Sequence, residues 1–259
     1  MKPEFKSWRS YQDFARAVKY QNRYIRDPDV EEFLQTLLFI TKGRKKRIPK
    51  GKLFWRAQLG YCLEPVEVDG EHVDDLPRAF RFDRMTPFRG AATEGRANPK
   101  GIPYLYVATQ KDTALSEVRP WLGSLISLAQ VKTLRDIVII DCTLKNREDS
   151  IYFEEPESEK KELAVWCDID RAFSEPVTPN DRVADYVPTQ ILTELFKSKG
   201  FDGIAYRSRF GAKGFNLALF DLAAAKVINC SLYETRDVSF HFEQAGNTYF
   251  SKEHYVRKK

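Results

Sequence analysis

Between Leu53 and Thr143 the sequence carries four short apolar runs, LFWRA, IPYLYVA, LISLAQV and DIVIIDCT, with one helical segment, DTALSEVRP, among them. A parallel doubly wound sheet needs a crossover helix after nearly every strand. This order does not supply those helices. The expected class is therefore α+β: a mixed β core of short strands with flanking helices.

Helices are expected at both ends of that core. SYQDFARAVKY opens on Ser10 with Asp13 three residues later, close to a capping box. In DPDVEEFLQTLLFITKG, Asp27 suits the N-cap and Pro28 the first helical position, and Phe33, Leu34, Leu37 and Leu38 form an apolar stripe. PTQILTELFKSKG repeats the pattern with Ile191, Leu192, Leu195 and Phe196, and Gly200 suits the position after the helix. The acidic stretch NREDSIYFEEPESEKKE leads into a further helix through Leu163, Trp166 and Phe173. FDGIAYRS, FNLALF and AKVINC read as strands. The basic run KGRKKRIPKGK (42–52) reads as a solvated connector, and residues 58–95 as irregular and polar.

The chain has 259 residues, of which 42% are hydrophobic, enough for a sizeable core in one large domain. A formal net charge of +5 is compatible with an anionic ligand and does not by itself indicate nucleic acid. The four cysteines contain no CxxC pair, so neither a zinc ribbon nor a disulfide framework is expected. The three histidines lack metal-ligand spacing, and the glycine-rich phosphate loops and the serine-hydrolase elbow are missing. No apolar run is long enough to span a membrane, and a cytoplasmic protein without membrane contact is expected. An enzyme built on this chain must work through Arg, Glu, Tyr and Ser.

Glu117 is the unusual charge. It stands eleven residues after Tyr106, on a short helix that must end near Pro120, and no local partner faces it. Asp112 suits the cap of that helix. Tyr104, Tyr106 and Ala108 share one face of the preceding strand, so Tyr106 and Glu117 can meet in one cleft. Upstream, GRANPKG (95–101) is a loop whose backbone N–H groups can approach a ligand.

FWRA around Arg56, GRANPKGIPYLYVATQKDTALSEVRP (95–120) and GFDGIAYRS (200–208) resemble the three blocks of the RES domain family. The resemblance spans residues 53–230, and its middle block is the long and specific one. It implies an ADP-ribosyltransferase-like fold and a toxin or defence enzyme that destroys NAD+ by hydrolysis or phosphorolysis. NAD+ is then a substrate; no cofactor and no metal are implied. An antitoxin with an Xre-like helix-turn-helix region is the implied partner, and a homo-oligomer stays open. The implied catalytic residues are Arg56, Glu117 and Ser208. The implied NAD+ contacts are Arg96 and Tyr106, together with Thr189, which with Val187 stands where some members carry a serine. The implied division is an N-terminal helical segment (1–47), a RES-like catalytic domain (48–230) and a C-terminal extension (231–259).

These residue types suit the implied chemistry. Nicotinamide leaves as a neutral molecule, so the barrier is the positive charge developing on the ribose, which a carboxylate stabilises. Arginines suit the pyrophosphate, and a tyrosine ring suits the cationic nicotinamide. Two alternatives stay open at this point: an ADP-ribosyltransferase acting on a macromolecule, and a non-enzymatic nucleic-acid-binding module using the 42–52 run and the basic tail.

Overall fold

The computed structural model describes residues 3–88, 90, 92–144, 152–175, 183–210 and 214–247. Two helices come first, α1 (Ser10–Tyr20) and α2 (Pro28–Ile40). Strands β1 (Lys45–Ile48), β2 (Leu53–Leu59), β3 (Cys62–Val68), β4 (Glu71–Arg78) and β5 (Leu105–Ala108) follow. Then come α3 (Lys111–Glu117), β6 (Leu125–Thr133), β7 (Ile137–Asp141), α4 (Ser158–Ser174) and α5 (Val187–Ser198). Strands β8 (Gly203–Arg207), β9 (Phe215–Leu219) and β10 (Ala225–Glu234) complete the described elements.

Eight strands form one mixed sheet in the order β1-β7-β8-β9-β5-β2-β6-β10. Only β7 and β8 run parallel, and α4 and α5 lie in the connection between them. The class is α+β, as the run of strands without intervening helices requires.

The two faces of the sheet are buried differently. One carries Tyr104, Ile140, Ile204, Tyr206, Ala218 and Phe220 against α1, α2, α4 and α5. Fully burying each of their larger apolar side chains contributes about 1.5–3 kcal/mol. The other carries Phe54, Leu105, Val107, Val131, Ile139 and Leu217, with no α-helical residue among its buried members. Strand residues and Ala224 of the 3-10 turn Leu222–Ala224 bury this face among themselves.

Local signals held where the chain decides locally. Asp27 caps α2 by accepting from the Val30 amide at 2.8 Å, with Pro28 at the helix start. Gly200 takes the left-handed conformation (φ +81°) just past α5. Two caps are different. Helix α1 has Arg9 at its N-cap, and the Ser10 hydroxyl donates instead to the Ser7 carbonyl at 2.7 Å. Helix α3 starts after Gln110 without a side-chain cap, so Asp112 lies inside the first turn.

Two segments carry more structure than the sequence suggests. The basic connector holds a 3-10 turn, Thr41–Arg44, and then β1, which pairs with β7 at the sheet edge. Lysines on an edge strand deter pairing with another chain, which accounts for its unstrand-like composition. Residues 58–95 hold the β3–β4 hairpin. Every residue of β4 is exposed, so no buried face imposed the alternation by which strands are recognised.

Candidate active site

β2 is held along seven Cα pairs to β6 but meets β5 at a single pair, Trp55–Ala108. The sheet thus parts between β2 and β5. Arg56 reaches across the opening, and its Nη1 donates to the Tyr106 carbonyl at 3.0 Å. The opening is a small cavity of about 120 Å³ lined by Arg56, Tyr106, Glu117, Tyr206 and Asn216 beside Trp55. Strand β5 and helix α3 deliver Tyr106 and Glu117 to it within one strand-to-helix turn.

Glu117 is the last residue of α3. The chain then turns sharply, with Arg119 in the left-handed region at φ +49° and its guanidinium 4.9 Å from the Phe210 ring centre. Ser208 Oγ donates to Glu117 Oε1 at 2.6 Å, and Asn216 Nδ2 donates to the same oxygen at 2.5 Å. Ser208 is itself fixed, accepting from the Phe210 amide at 3.0 Å.

Arg56 is largely buried, and among the described residues it forms no ion pair. Burial lowers its pKa to about 10, nearby Tyr106 opposes that shift and Arg84 adds to it. It therefore stays a cation near neutrality, with its Nε buried and unpartnered. A cation in this state favours an anionic ligand. Burial also raises the Tyr106 and Tyr206 hydroxyls, and Arg96 opposes the shift at both. Both stay neutral phenols.

The hydroxyl of Tyr106 is committed to the GRANPKG loop. It donates to Asn98 Oδ1 at 2.7 Å and accepts from the Ala97 amide at 3.0 Å. This contact explains Gly95: a Cβ there would lie 2.8 Å from both Asn98 Oδ1 and the Tyr106 hydroxyl. Tyr106 thus lines the cavity while its hydroxyl holds the loop.

Arg96 and Thr189 are placed elsewhere. Arg96 lines a neighbouring cleft of about 380 Å³ between α1 and α4, with Gln12, Lys19 and Asp168. Its Nη1 donates to the Phe173 carbonyl at 2.6 Å. Thr189 is buried in α5, and its hydroxyl donates to the Arg96 carbonyl at 2.6 Å. Thr193 donates to the Ala97 carbonyl at 2.5 Å, and Gln190 Nε2 to the Gly95 and Asn98 carbonyls. The first two turns of α5 thus hold residues 95–98 from below, and Thr189 supports the loop without lining the cavity.

Tyr206 and Asn216 also line the cavity, and Gln190 and Thr193 hold the loop; none of the four is among the residues the sequence points to. A signal existed for three of them. Asn216 is the one polar residue of FNLALF, and Gln190 and Thr193 interrupt the apolar side of α5. Each is a buried polar group that must find a partner.

The RES domain family model matches residues 74–243. The chain belongs to the RES domain family. The match contains five of the six site residues implied by the resemblance, Arg96, Tyr106, Glu117, Thr189 and Ser208. Arg56 precedes the matched residues and joins them through the β2 pairings. The chain is also similar to one in the crystal structure of the M. tuberculosis MbcT-MbcA toxin-antitoxin complex, with 14% identity and a TM-score of 0.41 over 76% of this chain and 90% of that one. No curated protein matches this RES chain. Among its described residues no group of three or more His, Cys, Asp or Glu side chains could hold a metal ion, and no helix is long and apolar enough to cross a membrane.

Proposed function

We propose that this RES protein cleaves the nicotinamide–ribose bond of NAD+ and acts as a toxin or defence effector. The observation that carries the reading is the meeting of Arg56, Tyr106 and Glu117 in one cavity, with Glu117 held by Ser208. NAD+ is the substrate, and an Xre-like antitoxin is the partner that this reading implies.

In this reading Glu117 faces the ribose. The C1′–N bond breaks, its electron pair leaves with neutral nicotinamide, and positive charge grows on C1′ and the ring oxygen. The Glu117 carboxylate stabilises that charge. Arg56 takes a phosphate oxygen of the dinucleotide, which supplies the anion its buried guanidinium lacks. The Tyr106 ring lies against the nicotinamide, cationic until the bond breaks. Arg96 meets the substrate from the adjoining cleft. Water or inorganic phosphate then attacks C1′ and completes the glycohydrolase or phosphorylase reaction.

The test is incubation of purified protein with NAD+, with and without inorganic phosphate, while nicotinamide is measured. Release in either buffer supports the reading, and the identity of the second product names the acceptor. No release in both buffers, from protein free of any bound antitoxin, rules it out.

A further inference from the structure

Both hydrogen bonds that reach Glu117 end on one of its oxygens. Ser208 Oγ and Asn216 Nδ2 donate to Oε1, and among the described residues nothing bonds Oε2. The two donors differ in kind. A hydroxyl both donates and accepts and can rotate, so the Ser208 contact constrains the carboxyl group less strictly. The amide nitrogen of Asn216 only donates, so its contact requires an acceptor at Oε1.

Asn216 is also the more rigid of the two. It is buried, and its Cα is paired with Ala108 on β5 and with Tyr206 on β8. Two neighbouring strands therefore fix it, whereas Ser208 lies just past the end of β8. Nothing in the chemistry of a core strand calls for an asparagine, because a buried amide must find partners or lose stability. Here its partner is the cavity carboxylate.

We propose that Asn216 is the positioning residue that fixes the Glu117 rotamer, with Oε1 tied to the protein and Oε2 left for the ribose. This rests on the NAD+ reading above. The arrangement divides the two oxygens: one sets the side-chain rotamer, and the other meets the developing charge. Such pre-orientation matters because a misplacement of about 1 Å can cost about 10²-fold in rate.

Asn216→Asp tests the assignment with almost no change of shape. When ionised, the new carboxylate cannot donate and repels Glu117; when protonated, it donates again through its hydroxyl. Two carboxylates this close share a proton, and the second ionises at a raised pH. The other titratable or charged groups lining the cavity with Glu117 are Arg56 from β2, Tyr106 from β5 and Tyr206 from β8. None is exchanged by the variant.

The expected result is a fall of about 10²-fold in kcat for nicotinamide release at about pH 8, with KM for NAD+ within about 3-fold of wild type. Activity then returns as the pH falls and the carboxylate pair takes up its proton, a profile the wild type does not share. Asn216→Ala loses activity across the whole range. Wild-type kcat at about pH 8 in Asn216→Asp, a defect carried by KM, or a loss without recovery in acid overturns the proposal. A wild-type protein that releases no nicotinamide overturns the NAD+ reading and this inference with it. The two failures are told apart by the wild-type measurement alone.

Discussion

The hydroxyl of Thr189 in α5 donates to the carbonyl oxygen of Arg96 at 2.6 Å, and so ties a buried helix to the loop beneath the cavity. Thr189→Val keeps the shape and removes the donor. It leaves a part-buried carbonyl short of a partner, which costs about 1–3 kcal/mol. Urea unfolding is expected to show that loss, and Thr189→Ser is expected to restore most of it. A valine variant as stable as wild type would show that this hydrogen bond contributes nothing.

That tie shows which parts of the site the sequence could display. The cap of α2, the end of α5 and the turn after α3 are set within a few residues, so composition reveals them. The meeting of Arg56 with Glu117 depends on β2 lying beside β5, a pairing between segments about fifty residues apart. No local pattern encodes which strand becomes the neighbour; only the block resemblance supplied it. Arg96 and Tyr106 stand close in sequence, yet they line different clefts, and α5 grips the loop at residues 95–98. The exposed β3–β4 hairpin was hidden for the opposite reason, since without a buried face a strand leaves no alternation to read.

Glu117→Gln is expected to separate charge from structure. The amide oxygen of glutamine can still accept from Ser208 and Asn216, so the fold and the rotamer persist. What is lost is the negative charge opposite the ribosyl cation. Nicotinamide release is expected to fall by about 10²–10³-fold, with an unchanged thermal midpoint. A variant that keeps wild-type turnover would remove Glu117 from the chemistry.

Asp170 gives a pH-dependent prediction. It is buried in α4, accepts from the Arg207 amide at 3.1 Å, and pairs with the Arg207 side chain. Burial raises its pKa above the ordinary carboxylate range, with Arg207 opposing the shift. A raised folded pKa contributes stability below the unfolded value of about 3.9, and that contribution is lost as pH rises through the folded value. Asp170→Asn keeps an acceptor for Arg207 and has no charge to bury. Its stability relative to wild type is therefore expected to rise with pH through that window. Urea unfolding across that pH range checks it; parallel curves, or a difference of the opposite sign, would contradict it.

Arg56 gives the prediction that bears most directly on the ligand. Its guanidinium is largely buried, donates to the Tyr106 carbonyl, and forms no ion pair among the described residues. Burying an unpaired cation is costly, and a bound anion offsets that cost. Arg56→Lys keeps the charge but loses the planar fork that grips a phosphate through two bonds. KM for NAD+ is expected to rise by about 10-fold or more, with a smaller change in kcat. ADP-ribose, which carries the pyrophosphate without nicotinamide, is expected to raise the thermal midpoint of the wild type by mass action and to do so far less for the variant. Equal stabilisation of both proteins would place the phosphate contact elsewhere, with Arg96 in the adjoining cleft the next residue to test.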